Sequence, residues 1–124
     1  MVVLADSKIL LVRSWLAPTK NWGLPGGGLH RNEDPMMGAI REVAEETDVQ
    51  LQPDQCQFML KKRAGAYGLS YHCYFFVARL SSLASVSRQH GEIADVQWFE
   101  IAELDTVPHY SEIDVLLASL APKA

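Results

Sequence analysis

The sequence predicts an α/β domain with a mixed β-sheet covered on both faces. Two segments repeat apolar residues at three- and four-residue steps, as amphipathic helices do. Short β-branched and aliphatic runs precede and separate them, which is the order of a layered α/β fold. The 124 residues suit one domain spanning 1–124, long enough to bury a core without a disulfide scaffold.

The elements follow in chain order. Val2–Leu4 and Lys8–Arg13 flank Ala5-Asp6-Ser7, reading as a hairpin around a small polar turn. Asn21–Gly28 is punctuated by glycine and proline and reads as a loop or a short strand leading into one. Asp34 suits an N-cap and Pro35 the first helical position. Met36, Ile40, Val43 and Thr47 then form one apolar face. Gln57–Arg63, Tyr71–Leu80 and Val96–Glu100 read as strands. Ser111–Leu120 reads as a second helix, with Ser111 and Asp114 spaced as a capping box and Ile113, Leu116, Leu117 and Leu120 as its stripe.

Composition narrows the function. Net charge is −4 and the pI about 5.5, which argues against a sequence-independent binder of nucleic-acid polymers. It leaves room for a small phosphorylated ligand, because a bound metal ion reverses the local sign. Cys56 and Cys73 lack metal or redox spacing and read as reduced thiols. The N-terminus has no basic region or long apolar run of a signal peptide, and no stretch has the length of a membrane span. The expected compartment is the cytoplasm.

The helix from Pro35 carries a second pattern. On a helical wheel, Glu42, Glu45 and Glu46 share an arc of about 100°, apart from the apolar face. Like charges four apart repel by a few tenths of a kcal/mol, and carboxylates in the last turns oppose the helix dipole. A hard cation among the oxygens turns that cost into a gain. A plain solvated face would also explain the glutamates. Gly26-Gly27-Gly28, a run that lets backbone approach a ligand closely, precedes the helix, although a simple turn explains such a run equally well.

Spacing joins the two. Gly27, Glu33, Arg41, Glu42, Val43, Glu45, Glu46 and Val49 match eight of the nine specified positions of G-x5-E-x7-R-E-U-x-E-E-x-G-U, where U is a bulky aliphatic residue. This resembles the Nudix box of the Nudix hydrolases, and Leu24-Pro25-Gly26 resembles the usual entry to it. The resemblance implies a Nudix-type α/β/α sandwich. It also implies hydrolysis of a diphosphate linkage, in a nucleoside diphosphate-linked or nucleoside triphosphate metabolite, with Mg²⁺ or Mn²⁺ as cofactor. Asp48 departs from the pattern, standing where a glycine usually provides a left-handed helix end. His30 and Asn32 also replace residues that are often acidic and glycine.

Carried over residue by residue, the resemblance makes Glu42, Glu45 and Glu46 metal ligands, with a backbone carbonyl near Gly26 and Gly27 completing the site. Glu45 and Arg41 join the catalytic set, Arg41 by pairing with Glu33 to fix the loop. Gly26, Gly27 and Arg13 are the expected substrate-binding positions; Arg13 also reads as a surface cap on its strand. Glu92 is the candidate additional ligand or general base, or else a solvated loop glutamate. Lys61-Lys62-Arg63 reads as a solvated edge, His72 and His109 as packing residues, and Trp22, Tyr67 and Tyr71 as core aromatics or base-stacking groups. The expected partner is a small phosphorylated metabolite, and a homodimer stays open. The rival is a non-catalytic Nudix-fold module that binds a nucleotide or a protein.

Overall fold

A computed structural model of the chain describes residues 1–16, 19–66, 68–88 and 91–121. Strands β1 (Val2–Ala5) and β2 (Lys8–Ser14) form the expected antiparallel hairpin, with Leu4 opposite Ile9. Asp6 closes it at φ 54°, a left-handed conformation that aspartate tolerates better than most residues. Helix α1 (Pro35–Thr47) is followed by strands β3 (Cys56–Ala66), β4 (Leu69–Leu80) and β5 (Ile93–Glu100), then helix α2 (Glu112–Leu120). The sheet order is β3-β4-β1-β2-β5. The β1–β4 pair is parallel and the other three are antiparallel, so the sheet is mixed.

Alternation along the central strands builds two cores, since successive strand residues face opposite sides. Val3, Leu10, Phe76 and Ala78 pack with Val43 of α1 and with Val49 and Leu51 just after it. Val2, Ile9, Leu11 and Val77 face the other way, onto Leu104 and onto Ile113 and Leu116 of α2. The result is an α/β/α sandwich, with α1 on one face and α2 on the other.

Differences from the sequence reading have physical causes. Strands β3 and β4 run longer than predicted, because they pair with each other as far as Ala66 opposite Leu69, well past the Val77–Leu80 stretch that β1 reaches. Lys61, Lys62 and Arg63 are exposed on β3, an edge strand, where charge discourages pairing with other chains. Turns of 3₁₀ helix at Pro53–Gln55 and Ile101–Thr106 carried no periodic signal, being too short to show one. The capping box at Ser111 does not form. Ser111 is itself helical (φ −62°, ψ −22°) and makes no side-chain cap, while Asp114 is engaged by His109.

The sheet's construction also shapes the site. Where β4 extends beyond β1, the space beside it is taken by the glycine-rich segment after Leu24, and a cavity opens there.

Candidate active site

Helix α1 presents the acidic residues because both its ends are fixed. The Asp34 carboxylate accepts the Met37 N–H at 3.1 Å, and Pro35 occupies the first turn. At the other end Asp48 is left-handed (φ 65°, ψ 12°) and its N–H reaches the Ala44 carbonyl at 3.0 Å. Aspartate thus adopts the conformation that the missing glycine would favour. Asn32 does the same in the loop, at φ 61°.

The glycine-rich segment lies directly on two of the glutamates. The Gly26 N–H donates to Glu46 Oε1 at 2.7 Å, and Glu46 is only 8% exposed. A Cβ placed on Gly27 would lie 2.6 Å from the carboxylate carbon of Glu42, so any larger residue there must displace that carboxylate. One residue earlier, the Pro25 carbonyl accepts from Met1 N at 3.0 Å.

Arg41 ties the loop to the helix. Its Nε and Nη2 donate to the two Glu33 oxygens at 2.8 and 2.9 Å, a bidentate pair. Nη2 also reaches the Gly28 carbonyl at 3.0 Å, while Nη1 meets Glu42 at 3.0 Å and Glu45 at 3.1 Å. Glu33 further accepts the His30 N–H at 2.9 Å. The Arg41 bonds, followed by the His30 N–H, hold the Glu33 carboxyl down at about 2. Glu33, and then Glu45 and Glu42, raise the Arg41 guanidinium above its ordinary value, so it is a permanent cation here.

Beside this loop is a cavity of about 620 Å³. Gly26, Gly27, Gly28 and Leu29 line one side, Tyr71 to Phe75 of β4 another, with Ala39 of α1 and Glu112 of α2. A volume of that size accommodates a nucleotide-sized ligand. Sequence reasoning missed Ala39, Cys73 and Glu112 as lining residues. No local pattern marks them, because the β4 overhang brings them together.

Other sequence-predicted residues fall in different places. Tyr71 is 54% exposed and lines the cavity, as does His72, which is exposed rather than a packing residue. Trp22 packs edge-on against Phe99 at 4.7 Å, and the Arg13 guanidinium stacks over it at 5.6 Å. Neither Arg13 nor Trp22 is among the cavity-lining residues. Glu92 is exposed in the turn just before β5, where its carbonyl accepts from Trp15 N at 2.9 Å. His109 is largely buried, as a packing residue would be, and is also hydrogen-bonded at both ring nitrogens. Its Nδ1 meets the Val107 carbonyl at 2.6 Å and its Nε2 meets Asp114 at 3.0 Å. Tyr67 lies outside the described residues.

The residues present fit a hard divalent cation. Their donors are carboxylate oxygens, and Glu42 and Glu46, one turn apart, meet consecutive glycines of the loop. Four carboxylates, Glu33, Glu42, Glu45 and Glu46, share this region with the Arg41 guanidinium, a formal excess of negative charge. Among the described residues no three acidic, histidine or cysteine side chains form a ready cage. Arg41 Nη1 instead lies between Glu42 and Glu45, so those two already share one cation.

A MutT-like protein of Streptomyces ambofaciens is 31% identical over 99 residues, covering 79% of this chain. The chain spans 58% of that relative's length. Among solved structures, the NUDIX domain of Shewanella oneidensis NrtR, complexed with ADP ribose, superposes with a TM-score of 0.79. It is 21% identical, and the match covers 96% of this chain and 82% of that one. A bifunctional NMN adenylyltransferase/ADP ribose pyrophosphatase of Francisella tularensis, complexed with AMP and a manganese ion, superposes with a TM-score of 0.72 at 25% identity. That match covers 97% of this chain and 40% of the larger enzyme. The NUDIX domain family model matches residues 1–119, and with the box seated as described the chain belongs to the Nudix family.

Proposed function

We propose that the protein is a metal-dependent hydrolase cleaving a diphosphate linkage in a nucleoside diphosphate-linked or nucleoside triphosphate metabolite. The observation that carries this is the seating of Glu42 and Glu46 against Gly27 and Gly26, beside a 620 Å³ cavity. Glu42, Glu45 and Glu46 would hold the ion, Mg²⁺ by preference and Mn²⁺ as a substitute. When bound, the ion supplies neutralisation of phosphoryl charge and an acidified water. The protein supplies position. Gly26 and Gly27 offer close backbone approach to a phosphate group, and Arg41 keeps Glu33 and the Gly28 carbonyl in register with α1. Glu45, whose side chain is 42% exposed, is the box glutamate most open to substrate and solvent. Glu92 is the added ligand or base, and Arg13 the outlying phosphate contact. The ADP ribose and the AMP with manganese on the two solved relatives support a small nucleotide ligand. A cytoplasmic location belongs to the same reading, and no helix among the described residues is long and apolar enough to cross a membrane.

A phosphate-release screen over a nucleotide panel with Mg²⁺, beside Glu45→Gln and Glu46→Gln, tests it. Turnover by wild type and its loss in both variants is expected. Variants as active as wild type would refute the metal assignment.

One observation favours a second reading, a non-catalytic nucleotide-binding module. Arg41 Nη1 already bridges Glu42 and Glu45, an arrangement complete without a metal. Metal-free binding of ADP ribose without turnover under any divalent ion would favour it.

A further inference from the structure

The segment that delivers the glycine loop belongs to none of the five strands, yet it is held on both sides. Gly23 exchanges hydrogen bonds with Val12 of β2 at 2.8 and 2.9 Å. On its other flank the Trp22 N–H donates to the Pro108 carbonyl at 2.9 Å, and the Trp22 carbonyl accepts the Tyr110 N–H at 3.1 Å. The Tyr110 ring lies so close to Gly23 that a Cβ there would come within 3.1 Å of it. Its hydroxyl is 3.3 Å from Thr19 Oγ1. Residues 108–110 therefore brace the approach to the glycine loop. They lie between the end of a 3₁₀ turn and a helix whose Ser111 makes no side-chain cap.

The side chain of His109 closes that gap. Nδ1 meets the Val107 carbonyl at 2.6 Å, and Nε2 is 3.0 Å from each Asp114 oxygen. Both partners are acceptors, so both ring nitrogens must donate, and the species that satisfies the geometry is the imidazolium. A neutral ring would turn a lone pair toward either the carbonyl or the carboxylate. From α2 the facing group is the Asp114 carboxylate; from the 3₁₀ turn, the carbonyls of Val107 and Leu104 act on the ring. The Trp22 segment meets His109 through its backbone.

We propose that His109 is a positioning residue for the glycine loop: its doubly bonded ring holds residues 108–110 against Trp22 and so sets where Gly26 meets Glu46. This rests on reading that loop as the diphosphate site. The connection is short and stiff. Leu24 and Pro25 alone separate Gly23 from Gly26, and proline fixes φ, so a shift at Trp22 passes into the loop rather than being absorbed. The Val107 hydrogen bond, followed by Asp114, raises the His109 pKa, in keeping with the imidazolium. The brace is complete in acid and loosens as the ring loses its proton.

Amide hydrogen exchange of the full chain tests this at pH 6 and pH 9, with the Leu10 and Leu11 amides of β2 as internal reference. In wild type, protection at Trp22, Tyr110 and Gly26 should fall about tenfold relative to the reference as pH rises. In His109→Gln all three should already be low at pH 6. Asp114→Asn keeps the shape and removes the charge, and provides the second test if His109→Gln does not fold. It should give pH-independent, intermediate protection. On any nucleotide found in the hydrolysis screen, His109→Gln should raise KM about fivefold and leave kcat within twofold. Unchanged Gly26 protection in a folded His109→Gln protein would overturn the proposal, as would a loss confined to Trp22 and Tyr110. If no nucleotide is hydrolysed, the enzymatic reading fails and the exchange result still decides the role of His109.

Discussion

Asp48 offers the sharpest energetic test, because it stands in a left-handed conformation at φ 65° and is exposed. A side chain with a Cβ costs about 1–2 kcal/mol there, an expense glycine avoids. Glycine in turn loses about 0.5–1 kcal/mol through the greater freedom of its unfolded chain. The expected gap between Asp48→Gly and Asp48→Ala is therefore about 1 kcal/mol in favour of glycine. Wild type should fall between them, since aspartate enters this region more readily than alanine. Its charge also opposes the helix C-terminus, so Asp48→Asn should gain about 0.3 kcal/mol. An unfolding entropy of about 2.1 cal/mol/K per residue over 124 residues converts 1 kcal/mol into about 4 °C of Tm. Thermal and urea unfolding followed by circular dichroism, in chelator to remove linkage to cations, would measure the series. Alanine equal to or more stable than glycine would refute the reasoning, and with it the claim that Asp48 replaces a glycine for conformational reasons.

Other outcomes follow from the same geometry. Gly27→Ala places a methyl group against the Glu42 carboxylate, and should cost about 100-fold in kcat/KM while leaving the circular dichroism spectrum unchanged. Mg²⁺ at ten times its Kd should stabilise wild type by about 1.4 kcal/mol, or about 5 °C, and Glu42→Gln and Glu46→Gln much less, as read by thermal shift. Glu33 titrates at about 2 when folded against 4.5 otherwise, so its contribution is present above pH 4.5 and lost as pH falls toward 2. Acid titration of Glu33→Gln should consequently show a shallower loss of stability across that window than wild type. Val43 is fully buried beneath α1, and Val43→Ala should cost about 2 kcal/mol by denaturant unfolding.

Local chemistry was the legible part. Asp34 and Pro35 marked the start of α1, the three- and four-residue steps marked its buried face, and fixed spacing linked Gly27 to the glutamates. These signals lie within a few turns of chain, where propensity and periodicity act directly. What the sequence concealed depends on distant partners. The cavity wall from Tyr71 to Phe75 exists because β4 outruns β1, a mismatch set by pairing register. Asp114 had the spacing of a cap yet was claimed by His109, a competition between two partners that no spacing rule resolves. Arg13 illustrates the same limit: its place on the strand was readable, but its seat over Trp22 was not.

The parallel ladder between β1 and β4 has a kinetic consequence. Val2 pairs with Val77, so the centre of the sheet joins residues 75 positions apart, and the intervening chain includes all of α1 and β3. The β1–β2 and β3–β4 hairpins close locally and can form within microseconds. Their union must meet the entropy of a long loop before any contact compensates it, which makes this docking the expected slow step of folding. The glycine loop and the cavity lie at that junction, so the binding site would be among the last parts of the molecule to take shape.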